Sequence, residues 1–122
     1  MKKYRIAVIP GDGIGPEVTG EGIKILKTIE KTSHEIEFEF EYFPWGAENY
    51  LKTGVVAPDN FLDILKPFDA IYLGAIGHPD VPDFQTVGKL IFGIRRGFDE
   101  YVNYRPIRLL KGVKSPLDRK SN

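Results

Sequence analysis

The sequence has 122 residues, enough for one ordinary domain with a real hydrophobic core. Its 17 basic residues balance 17 acidic ones, so composition makes no case for nucleic acid or an anionic membrane as partner and leaves a small-molecule ligand as the default. The absence of cysteine excludes disulfides, thiol nucleophiles and thiolate metal sites, and is compatible with a reducing cytoplasm.

The chain opens MKKYRIAVIPGDG, where Pro10 and Asp12 arrive too soon for a signal-peptide core, and no later stretch approaches a membrane span. A soluble, cytoplasmic protein is expected. Ile6, Ala7, Val8 and Ile9 form an apolar run too short for a helix and closed by Pro10 and Gly11, which suits a strand buried on both faces. Gly11, Gly13 and Gly15 then permit a tight turn, and Pro16 suits the first turn of a helix. In that helix Val18, Gly22, Ile25, Leu26 and Ile29 recur at helical spacing and are expected to face the sheet.

After a polar break, Ile36, Phe38, Phe40 and Tyr42 alternate with Glu35, Glu37, Glu39 and Glu41, the pattern of a strand with one wet face near a sheet edge. A short helix over residues 47–52 should stop at Gly54 with a left-handed cap. Pro58 opens a further helix with Phe61, Leu62 and Leu65 inward, and Pro67 stops it. Residues 70–77 form another buried strand ending in glycines. Strand, helix, strand, helix, strand in this order predicts an α/β fold, a largely parallel sheet with flanking helices and right-handed crossovers.

The proline-rich loop of residues 78–83 should lie at the same end of the sheet as the first glycine turn. Leu90, Ile91, Ile94 and Phe98 give one more helical face, weakened by Gly88 and Gly93. Residues 100–109 read as an extended segment, with Arg95 and Arg105 framing the helix end and the next strand. Residues 111–122 are polar and lack periodicity.

The GDGIG turn has GxGxG spacing, which fails the GxGxxG dinucleotide fingerprint, and it reads equally as a ligand contact or as a structural turn. Asp12 and Glu17 are either ligand contacts or charges favourable near a helix N-terminus, the second reading being preferred for Glu17. The second glycine turn sits where backbone N–H groups could meet a cofactor. A lone histidine, His78, is by itself more often a packing or surface residue than a catalyst. Arg95 and Arg105, with Arg96 and Arg108 nearby, would suit a small di-acid, because guanidinium groups grip carboxylates at two points. The competing reading pairs them with Asp99 or Glu100 on the surface. Asp80 and Asp83 make a weak metal pair with no third ligand, and no motif supplies catalysis by itself.

Taken together, IAVIPGDGIGPEV, FPWGAENYLKTG, LGAIGHPDVPD and IRRGFDEYVNYRPIRLL resemble, in this order, the metal-dependent decarboxylating dehydrogenases of 2-hydroxy acids, the isocitrate/isopropylmalate dehydrogenase family. The FPW and GHPDVPD segments look most like its tartrate and D-malate branch, although Phe84, Gly88 and Lys89 depart from the tartrate-like pattern. The resemblance implies that Arg95 and Arg105 hold substrate carboxylates. It also implies that Gly74, Ala75, Ile76, Gly77, His78 and Pro79 lie along a nicotinamide cofactor, NAD, and that the reaction is hydride transfer from C2, with loss of carbon dioxide where a suitable β-carboxylate is present. Magnesium or manganese would polarise the C2 oxygen, with its ligands and the proton-transfer residues outside these residues.

On this reading residues 1–110 are a partial N-terminal cofactor- and substrate-binding domain, the incomplete first domain of an isopropylmalate-dehydrogenase-like fold. Residues 111–122 lead toward a missing second domain. The complete protein would be a homodimer, and the 122 residues alone inactive, with apolar sheet edge and helix-docking surface left uncovered. The alternative is a non-catalytic nucleotide- or carboxylate-binding half-domain.

Overall fold

The computed structural model describes residues 1–117; residues 118–122 of the polar tail lie outside the described residues. In chain order the elements are β1 (Lys2–Gly11), α1 (Gly15–Ser33), β2 (Ile36–Tyr42), α2 (Ala47–Thr53), α3 (Phe61–Leu65), β3 (Ala70–Ala75), the π-helical α4 (Phe84–Ile91) and α5 (Phe92–Gly97). The strands form a parallel sheet in the order β2-β1-β3, with register from Lys2 opposite Ile36 to Val8 opposite Tyr42, and from Ile6 opposite Ala70 to Gly11 opposite Ala75. No helix among the described residues is long and apolar enough to cross a membrane.

β1 is central, and the short apolar run that marked it in the sequence is buried on both faces. Ile6 and Val8 pack with Ile23 of α1, while Ala7 and Ile9 join Phe43, Trp45, Phe61, Leu65, Leu90 and Ile94 on the other side. Helices therefore cover both faces, as parallel strands require. On the second face Trp45 sits 4.6 Å from the Phe43 ring and meets Phe61 edge-on at 6.4 Å, a geometry that adds to simple area burial.

β2 and β3 are the two edge strands of this three-stranded sheet, and the glutamates of β2 face water. Lys3 lies 3.5 Å from both Glu37 and Glu39, and Arg5 lies 3.5 Å from Glu41, so β1 supplies the counter-charge for that row. α2 ends as expected: Gly54 adopts φ +81° and donates its N–H to the Tyr50 carbonyl at 2.8 Å.

Four elements differ from expectation. α1 buries Gly15, Thr19 and Ile23, with Gly22 and Leu26 half-buried, and leaves Val18, Ile25 and Ile29 exposed. The helix comes so close to the sheet that a Cβ on Gly22 would overlap the Tyr72 hydroxyl, so its inward stripe is chosen by small size as well as by apolarity. α3 is only five residues long, because Pro58 belongs to the preceding turn, where its carbonyl accepts the Phe61 N–H. The third helical face begins at Phe84, in π-helical geometry, before tightening into α5. Residues 101–110, expected as an extended segment leading into a strand, form no helix or strand among the described residues, so Arg105 does not sit on a ladder.

Apolar surface is left uncovered. Along β3 Ile71, Tyr72 and Leu73 are only half-buried, and Tyr101, Tyr104 and Ile107 lie open beyond α5.

Candidate functional site

From β1 the chain steps through α1 to β2, then crosses back past β1 to reach β3. The carboxyl ends of β1 and β3 therefore flank a topological switch point, the place where open α/β sheets form a ligand crevice. Both glycine turns meet there. Gly11, at φ +77°, lies so near β3 that a side chain would overlap the Ala75 carbonyl, and the next N–H, that of Asp12, donates to that same carbonyl at 2.6 Å. The Gly15 N–H donates to the Asp12 carbonyl at 2.8 Å and starts α1.

The Asp12 side chain turns inward and is 3 % exposed. Its Oδ2 accepts the Ala47 N–H at 2.8 Å and the Gly77 N–H at 2.9 Å, and its Oδ1 accepts the Glu48 N–H at 2.8 Å. No lysine or arginine among the described residues pairs with it; backbone donors alone compensate the buried charge. Of the two readings open for Asp12, the charge at a helix N-terminus is the one realised, but the helix is α2 rather than its own α1. One sequence signal pointed that way: α2 starts after Gly46, which has no side chain to cap it, so its first N–H groups needed an acceptor from elsewhere. Glu17 is exposed in the first turn of α1, where a negative charge suits the helix dipole.

Gly74 and Ala75 end β3, Ile76 packs onto the larger core cluster, and Gly77 is tied to Asp12. The Gly77 N–H is therefore spent inside the protein and is not offered to a ligand. His78 forms a small bridge with the buried Val81, whose N–H donates to the His78 carbonyl at 3.0 Å. The His78 Nδ1 accepts the Asp80 N–H at 3.1 Å, which places the proton of the neutral ring on Nε2. Pro79 is exposed at the tip.

Beside this turn a cavity of about 170 Å³ lies between Ile14, Gly15, Val18 and Thr19 of the α1 start and residues 72–75 of β3. Thr19 Oγ1 is buried at its rim without a hydrogen-bond partner among the described residues. A cavity this small is well under the roughly 300–1,000 Å³ of a complete small-molecule site, so this domain offers one wall of a crevice.

Arg95, near the end of α5, lines a second cleft of about 200 Å³ with Ile71, Leu73, Ile91, Ile94 and Glu100. Its carbonyl accepts the Glu100 N–H at 2.8 Å, but its guanidinium makes no ion pair with Asp99 or Glu100. Arg96 instead lies 5.9 Å over the Phe92 ring. Arg105 is exposed on the segment after α5 and likewise has no ion pair among the described residues. The structure thus sets Arg95 against β3 and leaves Arg105 exposed on the segment that follows α5. Among the described residues no three His, Asp or Glu side chains converge as a cation site would require.

Residues 5–122 match the family model described as isocitrate/isopropylmalate dehydrogenase. The chain belongs to the isocitrate/isopropylmalate dehydrogenase family.

Among isocitrate/isopropylmalate dehydrogenase relatives, a probable tartrate dehydrogenase/decarboxylase of Agrobacterium vitis is 48% identical over 117 residues, covering 96% of this chain and 33% of its own. The D-malate dehydrogenase [decarboxylating] of Escherichia coli (strain K12) is 46% identical over 119 residues, covering 96% of this chain and 33% of its own. The chain spans about a third of the length of the curated relatives it matches. A β-decarboxylating dehydrogenase from Thermococcus kodakarensis, solved in its apo form, superposes with a TM-score of 0.58 at 32% identity, over 80% of this chain and 27% of that one.

Proposed function

We propose that the polypeptide carrying this domain is a cytoplasmic NAD-dependent oxidoreductase acting on the 2-hydroxyl of a small di-acid of the tartrate, D-malate or 3-isopropylmalate type, with oxidative decarboxylation where the substrate has a suitable β-carboxylate. The observation that carries it is identity of 48% with a probable tartrate dehydrogenase/decarboxylase along 96% of the chain. The switch-point crevice supports it independently.

In this reading Arg95 and Arg105 bind the substrate carboxylates, each guanidinium being uncommitted to an ion pair among the described residues. Gly74, Ala75, Ile76, Gly77, His78 and Pro79 form the wall along the cofactor. Gly74 lets β3 lie close against Pro10 and Thr19, Gly77 leaves open space at the turn, and Val81 anchors the loop behind it. Bound NAD would supply the hydride acceptor. His78 presents an Nε2–H donor at the turn, held in that tautomer by the Asp80 amide. The described residues do not form a magnesium or manganese site, so the requirement for the metal rests on family likeness and no step here is assigned to it. The working unit is a homodimer, residues 1–110 form part of its cofactor- and substrate-binding domain, residues 111–122 lead toward a second domain, and residues 1–122 alone do not turn over.

The test is NAD reduction by the full-length polypeptide with tartrate, D-malate and 3-isopropylmalate, in manganese, in magnesium and in chelator. Turnover of none of the three acids would overturn the proposal. Arg95→Lys and Arg105→Lys should each raise the KM for the acid at least about tenfold, since lysine cannot make the two-point contact, and leave the KM for NAD within about twofold. Equal effects on both would remove the arginine assignment. Saturable NADH binding by residues 1–122, with no acid turned over by the longer polypeptide, would favour the non-catalytic binding module.

A further inference from the structure

Three stretches far apart in the chain, the first glycine turn, the start of α2 and the turn after β3, meet at one buried carboxylate. Gly77 stands outside the β1–β3 ladder, so the Asp12 carboxylate is what holds its N–H. The Asp12 backbone is equally committed: its N–H goes to the Ala75 carbonyl and its carbonyl to the Gly15 N–H. The carboxylate cannot shift without the strand ends shifting too. Gly46 completes the enclosure, since a Cβ there would stand 2.8 Å from Oδ1 and 2.9 Å from Oδ2.

We propose that Asp12 is a positioning residue for the cofactor turn: by holding the Gly77 N–H and the start of α2 on one carboxylate, it sets where residues 74–79 stand and thereby the affinity for a nicotinamide dinucleotide it does not touch. The proposal rests on the assignment of that turn to the cofactor. Only aspartate suits the place. Asparagine offers one acceptor oxygen and turns an NH2 group toward a backbone N–H, leaving at least one buried donor unpaired. Glutamate, one methylene longer on the same fixed backbone, would carry the carboxylate past the three N–H groups it now meets. A binding wall must be held to a fraction of an ångström to keep its affinity, and a support that reaches it through a hydrogen bond gives that precision.

The test is Asp12→Asn in the full-length polypeptide, read by steady-state kinetics and by amide hydrogen exchange. The KM for NAD should rise at least about tenfold, as losing a charge-assisted bond to a buried donor implies, while the KM for the acid stays within about twofold. Exchange at Gly77, Ala47 and Glu48 should quicken together. If Gly77 exchange is unchanged, the network is refuted. If it quickens while the NAD KM holds, the turn is not the cofactor wall and both assignments fall, whereas a parallel loss in NAD KM, acid KM and kcat shows a merely structural carboxylate and overturns the positioning role alone. Should Asp12→Asn not fold, the wild-type polypeptide decides: Gly77, Ala47 and Glu48 amides should share one protection factor that rises on adding NAD, and independent protection refutes the proposal.

Discussion

Replacing Gly11 and Gly13 one at a time by alanine separates two costs that the first turn combines. Both glycines have positive φ, +77° and +56°, a region that costs an L-residue about 1–2 kcal/mol. At Gly13 an added Cβ meets nothing within 4 Å, so Gly13→Ala should cost that strain and no more. At Gly11 the Cβ would overlap the Ala75 carbonyl and come within 2.7 Å of Ile76 Cδ1, so β1 and β3 must part at their carboxyl ends. That adds about 1–3 kcal/mol of overpacking and about 0.5–1.5 kcal/mol for the Asp12 N–H to Ala75 carbonyl bond, bringing Gly11→Ala to about 2.5–6.5 kcal/mol. Against the roughly 5–15 kcal/mol that holds a domain together, the first substitution is tolerable and the second close to disabling. Equilibrium urea unfolding of the three proteins checks it through the midpoints at constant slope. Gly11→Ala falling within about 1 kcal/mol of Gly13→Ala would refute the close approach of the two turns, and the crevice geometry with it.

Thr19→Val should raise stability by about 1 kcal/mol, because the buried hydroxyl has no partner among the described residues; a loss of similar size on thermal melting would show that the hydroxyl is bonded in solution. Lys3 titrates higher than an ordinary lysine because Glu37 first and Glu39 second attract its ammonium group. The associated stability is fully present below the ordinary lysine range and lost as the pH climbs through the raised folded-state value. The melting-temperature gap between wild type and Lys3→Met should therefore close only in strong alkali, and it should shrink with added salt at neutral pH, the pair being exposed. A gap that ignores both alkali and salt would refute the electrostatic origin.

Sequence patterns alone determined the α/β class, the doubly buried strand of residues 6–9, the wet-faced edge strand with its alternating glutamates and the Gly54 cap. Each follows from the backbone period or the steric freedom of residues adjacent in the chain. The family, too, was legible in four motifs spread along it. The inward face of α1 was not, because periodicity treats Val18, Ile25 and Ile29 as core, whereas the sheet admits the side that carries Gly15, Thr19 and Gly22. Nor could spacing tell that Asp12, Ala47, Glu48 and Gly77 converge, or that Arg95 and Arg105 make no ion pair with Asp99 or Glu100. Local pattern reports which conformation each segment prefers; which side chains share a site depends on how close distant segments can approach, and that is settled only when strands and helices pack.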